Sequence, residues 1–137
     1  MSNEPEPEPE PEPDPEHGWS TDPFTATKIM ASDREADDNF GRAVAMSGDG
    51  TKVIVGSRKE DHDVDGVSSF SLNAGSAYIY AHNGLSWDAG TKIVAYDRED
   101  DDYFGMSVAM SEDGMKVIVG AANQDSGGNY RAGAAYI

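Results

Sequence analysis

The chain has 137 residues, no cysteine and a formal charge of -16, bounds that fit one modest domain and exclude disulfides and thiolate chemistry. Such an acidic balance has the wrong sign for nucleic-acid phosphates and for an anionic membrane surface. No apolar run reaches the ~18 residues that a membrane helix needs, and the opening MSNEPEPEPE lacks the basic start and apolar stretch of a signal peptide.

Residues 1–18 alternate acid and proline, with seven acids, six prolines and no Lys or Arg. Proline removes backbone donors and like charges repel, so this segment is expected to be a disordered or polyproline-like tail. It reads as a solubilising spacer; an acidic arm for a basic partner is the alternative. The 26 acids of the chain less the tail's seven leave 19 against ten bases in the body, a net -9.

The rest, residues 19–137, speaks twice. Residues 27–57 and 91–121 align without a gap at 22 identities in 31 positions. Further on, GSAYI at 75–79 matches GAAYI at 133–137. A repeat of about sixty residues calls for an array of like units. In chain order, 19–32 is expected to be a lone strand. Next, GRAVAM sets small Gly41, Ala43 and Ala45 against larger Arg42, Val44 and Met46, the period of a strand. SGDG makes a tight turn. KVIVG from Lys52 is apolar on both faces, as a strand covered on both sides would be. GSAYIYA (75–81) is a third strand and WDAGTKIVAY (87–96) a fourth, irregular at its glycine. The second copy repeats the first three. No 3.6-residue period supports a helix. The fold class is therefore all-β: β-propeller blades of four antiparallel strands, about two of them, making a partial propeller. Residues 40–96 form one blade and 104–137 an incomplete one.

The pattern DxxFGxSVAxSxDGxxVIVGA followed by GxAYIY resembles the FG-GAP repeat of integrin α-type β-propellers. The structural pair of that motif falls on Phe40-Gly41 and Phe104-Gly105. The resemblance implies an adhesion or protein-interaction module in an extracellular or cell-surface setting. It also implies further blades, in cis or by self-association, because blades bury both faces against neighbours. On this reading the chain is an N-terminal piece of a larger propeller, or one that must self-associate.

Propeller topology puts the inter-blade loops and the loops between second and third strands on one rim, and the tight turns on the other. The first rim then carries Asp33, Glu35, Asp37 and Asp38 in one copy, and Asp97, Glu99, Asp100, Asp101 and Asp102 in the next. With Glu60, Asp61, Asp63, Asp65 and Asp125 it holds fourteen acids against five bases, the whole -9 of the body. Such a face suits cations or a basic protein partner. Two of its residues, Asp38 and Asp102, also suit a local structural role, each accepting a nearby backbone amide in an Asx-type turn.

Within that rim, Asp61, Asp63, Asp65 and Gly66 open like an oxygen-ligand Ca²⁺ loop, with alternate carboxylates and a turn-permitting glycine. Position 12 of the loop is Leu72, where a Ca²⁺ loop closes with glutamate. Bound Ca²⁺ and a plain solvated loop both remain open. The family's own Ca²⁺ position, the first hairpin turn, does not carry over: Ser47–Gly50 and Ser111–Gly114 are short and poor in carboxylates. Catalysis finds no footing. His17, His62 and His82 fall in the tail, a loop and a turn, and no nucleophile motif accompanies them. Trp19 and Trp87 are expected to pack between blades. A non-catalytic interaction module is the leading reading; a segment of a larger enzyme and a purely structural acidic scaffold are the alternatives.

Overall fold

The Phe-Gly pair that marks each repeat is a β-bulge. In β1 (Phe40–Met46) the pairing with β2 (Lys52–Ser57) slips between Phe40 and Ala43. The same slip lies between Phe104 and Ser107 where β5 (Phe104–Met110) meets β6 (Val117–Ala121). Gly41 and Gly105 sit there at φ 88° and 86°, a backbone state that glycine adopts without strain. The bulge swings each Phe ring onto the tyrosines of the third strand. Phe40 meets Tyr78 at 5.5 Å and Phe104 meets Tyr136 at 5.3 Å, both edge-on.

These contacts come from a computed structural model, which describes residues 26–62, 70–125 and 127–137. The acidic tail, Trp19 and half of the expected lone strand lie outside the described residues, as do Asp63 and Asp65. Two antiparallel sheets are present. The first runs β1-β2-β3-β4, with β3 at Ser76–Ala81 and β4 at Thr91–Ile93; the second runs β5-β6-β7, with β7 at Ala134–Tyr136. The all-β propeller-blade expectation is met. The fourth strand is shorter than the expected 87–96. Asp88 explains why: its Oδ1 accepts the Ala81 and Gly90 amides, so a side chain replaces the ladder ahead of β4. Residues 26–32 pair with no strand among the described residues, although 27–29 repeat the sequence of β4. No neighbouring sheet edge lies among the described residues for them to join.

The units stack face to face and in one direction. On β2, Val53 and Val55 point to one face with Tyr78 and Tyr80, and Ile54 points to the other with Ala45 and Ile79. The Ile54 face packs on Phe104, Val119 and Ala121 of the second unit. The Val53 face is covered in part by Ile29 and Ala31, and by Trp87 from its own unit. Trp87 therefore packs on its own blade rather than across to the second described unit. Backbones approach closely at the stack. A Cβ on Gly56 would collide with the Gly105 carbonyl, and one on Gly75 with the Phe104 carbonyl. Hydrogen bonds stitch both ends: Phe104 N–H donates to Ala74 O at 2.8 Å, and Gly48 N–H to Glu112 O at 2.8 Å.

Candidate functional site: acidic loops on a buried ionic frame

The inter-unit loops carry the first of the acids singled out in the sequence. In each copy one aspartate folds the loop on itself: the Glu35 N–H donates to Asp38 Oδ2 at 2.7 Å, and the Glu99 N–H to Asp102 Oδ2 at 2.8 Å. The accepted amide lies three residues upstream, not downstream as in an Asx turn. Both carboxylates are buried. Burial pushes both pKa values up, and the loop amides only partly offset it. The backbone of these loops repeats as well. Asp37 and Asn39 lie at positive φ, and so do Asp101 and Tyr103.

A second aspartate ties loop to sheet. Tyr78 Oη donates to Asp33 Oδ1 at 2.8 Å, and Tyr136 Oη to Asp97 Oδ1 at 2.8 Å. In the first unit Asp33 Oδ2 also takes Lys92 Nζ at 2.7 Å. Burial opposes ionisation of Asp33, but the Lys92 and Tyr78 bonds outweigh it and hold its pKa below the usual value. Tyr80 is pushed up to about 12 by burial and by nearby aspartates.

Glu60 corrects the charge map. It is counted with the rim in the sequence, yet it is 1% exposed. Lys92 Nζ lies 2.8 Å from Glu60 Oε1, which also accepts the His62 N–H at 2.7 Å. Arg98 approaches from the other side, its Nη2 3.9 Å from Glu60 Oε2, while Nη1 donates to His62 O. Lys92, on β4, thus bridges Glu60 and Asp33. Two acids and two bases make a charge-balanced frame beneath the surface, and burial without such pairing would be costly. His62 belongs to this frame, its Nδ1 3.5 Å from Glu60.

What remains for a partner is smaller than the sequence count. Glu35, Asp37, Glu99 and Asp100 are exposed in the inter-unit loops. Asp100 and Asp101 also clasp the neighbouring loop, accepting Leu72 N–H and Asn73 Nδ2–H. Around Glu99–Asp102, Asn123, Asp125 and Arg131 lies a small recess of about 100 Å³.

The Ca²⁺ expectation rested on Asp61, Asp63 and Asp65, of which only Asp61 is described. Its Oδ1 accepts the Asn73 N–H and its carbonyl accepts the Ser71 N–H at 2.8 Å. Among the described residues no three acids or histidines stand together as metal ligands. The hairpin-turn aspartates are likewise occupied. Asp49 Oδ1 accepts the Ser47 hydroxyl and the Thr51 amide and hydroxyl, bonds that lower its pKa to about 2. No helix among the described residues is long and apolar enough to cross a membrane.

Bulged first strands and two antiparallel sheets packed face to face define a pair of stacked β-propeller blades. The FG-GAP repeat family pattern matches residues 24–80 and 87–137, and the chain belongs to that family. No curated protein matches the chain.

Proposed function

We propose that this chain is a non-catalytic interaction or adhesion module whose acidic rim engages a basic protein or other cationic partner. The supporting observation is a division of labour among the acids. Asp33, Asp38, Glu60 and Asp102 are consumed by the fold, whereas Glu35, Asp37 and Glu99 are exposed in the inter-unit loops. Fixed carboxylates on a rigid frame raise the local concentration of cations and speed encounter with a basic surface.

The test is binding of a lysine-rich peptide by calorimetry at rising salt. Binding is expected to weaken as salt rises, and to fall several-fold in a Glu35→Gln, Asp37→Asn, Glu99→Gln triple variant. A charge-matched control, Glu4→Gln, Glu6→Gln, Glu112→Gln, should bind like the parent. Equal loss in both triples would overturn the rim as the binding surface.

Ca²⁺ enters this proposal as a modulator of the loop that carries Asp61, Asp63 and Asp65. The alternate carboxylates and the turn-permitting Gly66 of the sequence support this reading. With an incomplete carboxylate set, affinity on the order of 10⁻⁴ to 10⁻³ M is expected. Thermal melting should respond to added Ca²⁺, less so in Asp63→Asn and equally in Asp125→Asn. No response up to about 10 mM would remove the metal from the account.

A further inference from the structure

The turn between β3 and β4 carries the pair Asn83-Gly84, and hydrogen bonds engage both of its members. The Gly84 N–H donates to His82 Nδ1 at 3.1 Å, so the neutral imidazole carries its own proton on Nε2. Asn83 Oδ1 accepts the Leu85 and Ser86 amides, each at 2.9 Å. The Asn83 side chain is thereby folded over the turn, beside the peptide bond that follows it. The Asn83 N–H closes the turn on Ser86 O at 3.1 Å. His82 is itself held in place: it bridges to Trp87, and the two rings meet edge-on at 5.1 Å. Residues 83–86 are exposed. Gly84 stands at φ 95°, and a Cβ there would meet nothing within 4 Å.

These are the parts of an acyl transfer. Gly84 N is a nucleophile once its proton leaves, and no side chain on Gly84 shields it. His82 Nδ1 is a base within hydrogen-bond reach of that proton. Asn83 Cγ is the acyl carbon, and two amides already face the oxygen on which charge would develop.

Two other turns place an acid before glycine, and they lack these parts. The N–H groups of Gly50 and Gly114 donate to the carbonyls of Ser47 and Ser111, which take no proton. The Asp49 and Asp113 carboxylates are held ionised by hydroxyl and amide donors. An ionised carboxylate has no neutral group to expel.

We propose that Asn83 is a site of self-catalysed modification, converted to aspartate and isoaspartate by its own turn. His82 Nδ1 takes the Gly84 proton as Gly84 N attacks Asn83 Cγ. The N–Cγ bond forms, and the Leu85 and Ser86 amides stabilise the charge on Oδ1. The imidazolium then gives its proton to Nδ2 as the Cγ–Nδ2 bond breaks and ammonia leaves. Water opens the resulting succinimide. Addition at Cγ breaks the new bond and gives aspartate. Addition at the Asn83 backbone carbonyl carbon breaks the original peptide bond and gives isoaspartate, in which the chain runs through the former side chain. Either product adds a negative charge to the β3–β4 turn, and isoaspartate also lengthens its backbone path by one carbon. No substrate is turned over, so this reaction is separate from binding at the acidic loops.

Peptide mapping by mass spectrometry on the 137-residue chain, aged at neutral pH, tests this. Asn83 should gain one mass unit with release of ammonia. An isoaspartyl methyltransferase should label that position and leave Asp49 and Asp113 unlabelled. The rate at Asn83 should fall about tenfold or more when the chain is unfolded in urea, because the base and the two amides then disperse. His82→Phe keeps a ring against Trp87 and removes the acceptor. It should slow the folded protein by a similar factor and match the parent in urea. An Asn83 that stays unchanged, or that reacts as fast in urea as in the fold, overturns the proposal. A folded His82→Phe variant that reacts at the parent rate overturns His82 as the base.

Discussion

The two units carry nearly the same residues into different surroundings. Ile54 and Ile118 occupy the same position of KVIVG, yet the first is buried between sheets and the second is open. A Cβ on Gly105 would strike the Ser76 carbonyl, whereas one on Gly41 would meet nothing within 4 Å. Lys92 is enclosed by Asp33 and Glu60; Lys28, its repeat counterpart, is exposed. The difference teaches that a blade sequence specifies a pair of faces, and the neighbour decides whether each becomes core. Cost of mutation should therefore follow the neighbour rather than the repeat position.

The glycine pair gives the largest contrast. Gly105→Val combines a positive φ with a backbone collision and should cost more than about 4 kcal/mol, enough to abolish folding. Gly41→Val meets only the positive φ and should cost about 1–3 kcal/mol. Denaturant melts of both variants check this. Equal losses would mean that the bulge, not the stack, sets the requirement for glycine.

The lysine pair comes next. Lys92→Met leaves Asp33 and buried Glu60 without their shared cation and should cost about 3–5 kcal/mol. Lys28→Met, at an exposed position in the single copy, should stay within about 0.5 kcal/mol of the parent in dilute solution.

Acid titration separates the aspartates by sign. Asp38 and Asp102 have raised folded pKa values, so they bind a proton more tightly in the fold. Their contribution to stability should rise as pH falls through those raised values to the ordinary carboxylate range near 4. Asp33 has a depressed value; its contribution is present above the ordinary range and lost as pH falls through its folded pKa. Stability measured against pH in Asp38→Asn should lose the rising arm, and in Asp33→Asn the falling one. The smallest effect is expected at Arg131, which sits at φ 51° where the first copy has Asn73 at φ 53°. Arg131→Asn should stabilise by a few tenths of a kcal/mol, about the scale of relieved local backbone strain on a surface.

Much of this was legible in the sequence because identity at a fixed spacing is hard to misread. The repeat marked out the strands, and Phe-Gly marked each bulge. The acids of the loops were legible and the partners of each were not. Glu60 looked like one more surface acid because Lys92 and Arg98, which enclose it, come from β4 and the loop beyond, more than thirty residues on. A linear count of charge has no access to such convergence. The unpaired state of 27–29 was equally hidden: its residues are those of a strand, and a strand requires a partner edge that no local sequence supplies.

The most direct test of the neighbour account is the isoleucine pair, measured by denaturant unfolding at concentrations low enough to keep the chain a single copy. Ile54→Ala empties a site packed between the two sheets and should cost about 2–5 kcal/mol. Ile118→Ala trims the same position of the same strand sequence on an open face and should cost less than about 1 kcal/mol. Equal costs for the two would contradict the account, because identical residues would then owe their stability to the repeat itself and not to the face stacked against them.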